Sequence, residues 1–216
     1  MPFEPKCYNL HMIKFVYIDV GGVALLDFSG TKKWDSLKKE MGVNEKNNDL
    51  WEKIWDQHED EICVSRDVDT LIPIFNENAR LHLPDNYSML EGFISRFDIN
   101  PSIWPVIKAA KKKYRIGLLT NMYPRMLQVI FDRKLIPPRQ EWDAIIDSSI
   151  VKHQKPEREI YEIAERESGV GKDEILFVEN SLMHVQAAKE FGWQVFHYDP
   201  TIPEDSTKKL AEIIGV

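Results

Sequence analysis

The chain has 216 residues, enough to bury a sizeable core as one large domain or as a core plus a small insert. Its balance is acidic, 28 Lys and Arg against 35 Asp and Glu for a net charge of −7, and its one basic run, Lys111-Lys112-Lys113, falls at a helix end, where the dipole favours it; this argues against nucleic acid as a partner. No apolar run reaches membrane-spanning length, the N-terminal stretch lacks the apolar region of a signal peptide, and the two cysteines, Cys7 and Cys63, form neither a disulfide framework nor a metal spacing, so the expectation is a cytoplasmic protein, monomer or homodimer, that does not engage membranes.

In chain order, residues 1–11 carry two prolines and no periodicity and read as a loosely held extension; Met12 is an alternative start. Phe15-Val16-Tyr17-Ile18 reads as a parallel strand buried on both faces, ending at Asp19 and followed by Gly21 and Gly22. The glycines permit a sharp turn whose amides can face an anion. From 30 to 100 the pattern is helical throughout: Trp34, Leu37 and Met41 share one face, Trp51, Ile54, Trp55, His58 and Ile62 a second helix with Asn48 or Asp49 as cap, and two more helices run near 69–79, broken early by Pro73, and 87–97. The tryptophans read as the core of this bundle. From 101 onward strands alternate with helices. A helix over 103–110, capped by Asn100 or Ser102, leads to a strand over 114–119 that ends at Thr120-Asn121, then a helix over 125–131. Further strands cover 144–146, 175–178 and 194–197, and helices begin at Pro156, pass through Val185 and Ala188 to stop at Gly192, and run over 203–214 with Thr201 as a cap.

This alternation predicts an α/β fold with a doubly wound, Rossmann-like parallel sheet of five strands in the order 5-4-1-2-3. The core comprises 12–29 and 101–216, and 30–100 forms an inserted helical cap. In such a sheet the strand ends open on one edge, bringing together Asp19, Thr120 with Asn121, Ser148-Ser149 leading on to Lys155, and Glu179 with Asn180. A carboxylate nucleophile, a hydroxyl, an ammonium and a second carboxylate suit phosphoryl transfer, and two carboxylates can hold Mg²⁺. Lys155 can keep Asp19 ionised.

Four pieces in one order, Tyr17-Ile18-Asp19-Val20-Gly21-Gly22-Val23, Leu118-Leu119-Thr120-Asn121, Lys155-Pro156 through Ile160-Tyr161, and Phe177-Val178-Glu179-Asn180-Ser181, resemble the motifs of the haloacid dehalogenase superfamily. The helical insert and the segment His58 to Ile62 resemble the subgroup of sugar-phosphate phosphatases and the phosphatase domain joined to epoxide hydrolases. The resemblance implies that Asp19 attacks phosphorus to form an aspartyl-phosphate, that Lys155 balances charge, and that Gly21, Gly22, Thr120 and Asn121 bind phosphate. It also implies a Mg²⁺ cofactor on Asp19, the Gly21 carbonyl, Glu179 and Asn180, and a small phosphorylated metabolite as substrate.

Two positions depart from that pattern. Gly21 stands where the family usually carries a second Asp for proton transfer, a loss of about 10²–10⁴-fold in rate if nothing replaces it; Glu61 from the insert is one candidate replacement. Asn180 stands where Asp is more usual, which weakens a Mg²⁺ site without abolishing it. Two other readings therefore stand beside the phosphatase: a metal-independent 2-haloacid dehalogenase using the same Asp19, and a weakly active phosphate-binding protein. Among single residues, His184 reads as packing or surface, Asp27 as a loop residue, Asn121 equally as substrate contact or helix cap, and Lys152 as the lesser rival of Lys155.

Overall fold

The computed structural model describes residues 12–216; the expected extension over 1–11 lies outside the described residues. β1 (Phe15–Ile18) is buried at every position. The chain then folds back: Gly22 N–H donates to the Leu25 carbonyl at 2.8 Å and Leu25 N–H to the Val20 carbonyl at 2.8 Å, leading into β2 (Leu25–Leu26). Four helices follow, α1 (Lys33–Glu40), α2 (Asn48–Ile62), α3 (Ile72–Asn78) and α4 (Met89–Ile94). β3 (Asp98–Ile99) then pairs antiparallel with β2, setting Leu25 against Ile99 and Leu26 against Asp98. This ladder corrects the expectation of a purely helical stretch to residue 100. It is a stem that zips together both crossings of the chain into the insert. Lys33 Nζ ties it further, donating to the Leu26 carbonyl and the Asp98 carboxylate, each at 2.8 Å.

The remainder alternates as expected: α5 (Ile103–Ala110), β4 (Arg115–Thr120), α6 (Met126–Asp132), β5 (Ala144–Asp147), α7 (Ser148–Val151), α8 (Arg158–Ser168), β6 (Ile175–Glu179), α9 (Leu182–Phe191), β7 (Gln194–His197) and α10 (Pro203–Ile214). Five strands form one sheet in the order β5-β4-β1-β6-β7, every pair parallel. Counted as core strands one to five, this is the predicted 5-4-1-2-3. The order reverses at β1, so the crevice outside its carboxyl end is where such sheets bind ligands.

Alternation along β1 feeds two cores. Phe15 and Tyr17 face Ile160, Tyr161, Phe191 and Trp193 of the α8–α9 layer. Val16 and Ile18 face a larger cluster that runs through α5 and α6 and on into the insert. In the insert Trp51 stacks on Trp55 (5.5 Å between centroids, 7° between planes) and on Phe75 (5.3 Å, 4°). Trp51 and Phe75 are fully buried, as a bundle core requires.

Local chemistry shifts several boundaries. α2 is preceded by Asn47, not capped by Asn48 or Asp49, and the Asn47 side chain accepts from Asn44 N–H instead. Pro73 does not break a helix: Val68–Leu71 is a 3₁₀ turn and Pro73 sits in the first turn of α3, where its missing N–H costs nothing. Thr201 does not cap α10, because its hydroxyl donates to Asp199 Oδ1 at 2.6 Å. Ser102 precedes α5 without a side-chain cap bond; its hydroxyl donates to Asn100 at 2.7 Å. α8 starts at Arg158, two residues beyond Pro156. Gly192 ends α9 in the left-handed region (φ 110°), as predicted. Among the described residues no helix is long and apolar enough to cross a membrane.

Candidate active site

The structure brings the separate strand ends together on one edge of the sheet. Asp19 follows β1, Thr120 ends β4, Glu179 ends β6, and Lys155 comes from the loop before α8. The Lys155 ammonium lies 2.6 Å from Glu179 Oε2, 3.1 Å from Asp19 Oδ2 and 3.3 Å from the Leu119 carbonyl. The Glu179 and Lys155 side chains are almost wholly buried, whereas that of Asp19 keeps 9% of its surface open. Thr120 Oγ1 is buried beside them, near enough to Asp19 to help lower its carboxyl but without a well-formed hydrogen bond. A buried hydroxyl left unpaired is unusual, and a donor so placed suits an anion from outside the chain.

Lys155 is held by Asn121. The Asn121 amide accepts from Lys155 N–H at 2.8 Å and donates to the Lys155 carbonyl at 2.9 Å. Asn121 is therefore a backbone strap and not the cap of α6, although it also lines the crevice. The rival Lys152 points away, donating to the Ser149 and Val64 carbonyls at 2.6 and 3.1 Å. Ser148 and Ser149 do not join the cluster. Ser148 Oγ accepts from Met122 N–H at 2.9 Å and donates to the Cys63 carbonyl at 2.5 Å, and Ser149 donates to Asp147. They hold the strand end and the insert in place. Glu61 is exposed and faces Arg66 at 3.2 Å and His58 at 3.5 Å, so it offers no proton-transfer group here.

One ammonium is shared between two buried carboxylates, and the nearer wins. Burial works against ionised Glu179, yet Lys155 and His184, whose Nδ1 lies 3.4 Å away, hold its carboxyl down at about 2. Burial first and the Glu179 charge second push Asp19 up to about 8, with Lys155 pulling the other way. Burial penalises the Lys155 ammonium too, but Asp19 and Glu179 raise it above the usual lysine value. Lys155, 3.1 Å from Asp19, is placed to favour its ionised form against burial and the Glu179 charge. His184, expected as a packing residue, adjoins the acidic cluster.

The two glycines serve different ends. Gly22 sits at φ 75°, and a Cβ there would collide with the Asn180 amide. Its N–H is engaged with Leu25, so of the two amides expected to face an anion this one does not. The Asn180 side chain lies between Glu179 Oε1 (2.9 Å), the Gly21 carbonyl (3.0 Å) and Ser29 Oγ (3.0 Å). One orientation satisfies every contact: with the amide nitrogen inward it donates to Glu179 and Gly21 and accepts from Ser29. Turned over, its oxygen would join the Glu179 carboxylate and the Gly21 carbonyl as a set of donors for a cation. Carboxylate, amide and carbonyl oxygens are the donor types that Mg²⁺ takes. The residues present thus fit the ion that the resemblance implies.

A cavity of about 320 Å³ opens between this edge and the insert, lined by Gly21, Asp27, Trp34, Phe93, Tyr123 and Met126 among others. Trp34 therefore opens onto the crevice, beyond the core role that the pattern predicts. Asp27 was not legible as a site residue. Burial raises its carboxyl above the usual range, the Ser29 N–H working against it.

Residues 33–192 match the profile of the haloacid dehalogenase-like hydrolases. The chain belongs to this family and is a haloacid dehalogenase-like hydrolase. No curated protein matches it. Solved structures share the fold. A predicted haloacid dehalogenase-like hydrolase from Porphyromonas gingivalis is 19% identical over 92% of this chain and 98% of its own, with a TM-score of 0.73. A family enzyme from Bacteroides thetaiotaomicron, in complex with magnesium and inorganic phosphate, is 18% identical over 86% and 94%, with a TM-score of 0.65. The L-2-haloacid dehalogenase of Xanthobacter autotrophicus is 21% identical over 87% and 78%, with a TM-score of 0.61.

Proposed function

We propose that the protein is a Mg²⁺-dependent phosphatase of a small phosphorylated metabolite. The observation that carries this reading is the convergence of Asp19, Lys155 and Glu179 on one sheet edge, with the Asn180 amide and the Gly21 carbonyl beside them as oxygen donors for a small hard cation. The Bacteroides enzyme's complex with magnesium and inorganic phosphate supports it. Asp19 would attack phosphorus in line and become an aspartyl-phosphate. Thr120 Oγ1 would donate to a phosphoryl oxygen, and Lys155 would neutralise a second while holding Asp19 in position. Mg²⁺ on Asp19, Glu179, Asn180 and the Gly21 carbonyl would supply charge for the phosphoryl oxygens. The apolar, aromatic walls favour a leaving group with an uncharged surface. Turnover of an aryl phosphate that needs Mg²⁺, stops with EDTA and is lost in Asp19→Asn tests the proposal; turnover untouched by Asp19→Asn ends it.

A second reading, metal-independent dehalogenation of a 2-haloacid, draws on those same apolar walls and on the inward-nitrogen state of Asn180, which closes the acidic site without a cation. Halide release from 2-chloropropionate in EDTA, without phosphatase turnover, would select it.

A further inference from the structure

Gly21 has no group with which to move a proton. A Cβ built on Gly21 would lie 2.6 Å from Asp27 Oδ2 and 3.4 Å from Asp27 Cγ, and real Cβ atoms essentially never approach closer than 3.0 Å. A side chain at 21 would force this carboxyl to move aside. Resting on the phosphatase reading above, we infer that Asp27 is a catalytic residue: its carboxyl fills the space that Gly21 leaves at the sheet edge and transfers the proton to and from the reacting oxygens.

The placement is fixed. Ser29 N–H donates to Asp27 Oδ1 at 2.9 Å, which leaves Oδ2 turned toward Gly21. Asp27 follows the paired strand β2 directly, so the β2–β3 stem holds it. The back-fold from Val20 to Leu25 brings it over the Asp19 loop, and Gly21 and Asp27 line the same cavity. As Asp19 bonds to phosphorus, the bond from phosphorus to the leaving oxygen breaks and that oxygen takes the Asp27 proton. Water then attacks the aspartyl-phosphate and gives a proton to the Asp27 carboxylate. The Asp19 carboxylate and inorganic phosphate are released, and Asp27 ends protonated as it began.

Asp27 also closes a turn on Ser29, and Asp27→Asn keeps that hydrogen bond while removing the transferable proton. The test compares p-nitrophenyl phosphate, whose leaving group needs no proton, with phenethyl phosphate, whose leaving group does. In Asp27→Asn, kcat/KM for the alkyl ester should fall ~10²–10⁴-fold and for the aryl ester by less than about tenfold. Asp27→Ser, whose hydroxyl can also accept from Ser29 N–H, should show the same selectivity and carries the test if Asp27→Asn does not fold. Equal losses on both esters, or none on the alkyl ester, overturn the inference. If the wild-type protein turns over neither ester, or does so independently of Asp19, the phosphatase reading fails and this inference with it. If Asp19-dependent turnover holds and the selectivity is missing, only the role of Asp27 falls.

Discussion

Lys155→Met isolates the charge balance of the site. The ammonium is enclosed, 2.6 Å from one carboxylate and 3.1 Å from another, so its removal strips two buried acids of their shared partner and leaves only His184 beside Glu179. Breaking a buried pair by deleting one partner costs about 3–5 kcal/mol. Glu179→Gln should cost less, about 1–3 kcal/mol, because Lys155 keeps Asp19. In Lys155→Met/Glu179→Gln a single acid remains, and it can take up a proton; the double variant should therefore lie about 1–3 kcal/mol above the sum of the singles. Guanidinium unfolding at neutral pH in EDTA measures all three, with equal denaturant slopes as the condition for comparison. A loss below about 1 kcal/mol in Lys155→Met, or a cycle additive to within ~0.5 kcal/mol, would refute the shared-ammonium account.

Other outcomes follow from single contacts. Gly22→Ala must hold φ 75° and displace Asn180, so we expect a loss of about 1–3 kcal/mol with reduced turnover; unchanged unfolding would contradict this. Mg²⁺ at a hundred times its dissociation constant should raise the unfolding free energy by ~2.7 kcal/mol and Glu179→Gln should weaken that effect, whereas a melting curve indifferent to millimolar Mg²⁺ would count against the oxygen cluster as a cation site. Against partial desolvation, which alone would raise it, the Arg125 hydrogen bonds and the Asp69 N–H hold the Asp67 carboxyl below its ordinary value. Its stabilisation is therefore complete above about pH 4 and disappears as the pH falls through the lowered folded value. Asp67→Asn should cost about 1 kcal/mol at pH 7, discounted because Arg125 is half exposed, and progressively less as the pH falls through the lowered folded value; a cost that stays constant with pH would show that the charge is irrelevant. Trp51→Ala, stripping a fully buried stack, should cost about 3–5 kcal/mol in the same unfolding assay.

β1, β4 and β6 were legible because each is a short run that is apolar on both faces and ends on, or runs directly into, a polar residue, a pattern that burial imposes on central parallel strands. Lys155 and Glu179 could be placed at the same edge by topology alone. Hidden from sequence were features that depend on a fold-back. β3 is two exposed residues, too short for any period, and exists only because β2 lies opposite. Asp27 reads as a loop acid until the bonds from Val20 to Leu25 carry it over Gly21. Asn121 looked equally like a cap or a ligand, since nothing local reveals that its amide matches the Lys155 backbone 34 residues later. The division of charge between Asp19 and Glu179 turns on burial and on how Lys155 and His184 approach in space, which no pattern encodes.

An aspartate in place of Asn180 would set a third anion against Glu179 whenever the ion departs. An amide can simply turn over and re-satisfy its neighbours. Chelation should therefore act as a reversible off-switch that leaves the fold standing, with demetallated protein surviving storage and regaining competence on remixing. Under the phosphatase proposal, the same latitude would let occupancy follow the surrounding Mg²⁺ level, so that supply of the ion, and not irreversible loading during folding, would set how much protein is active.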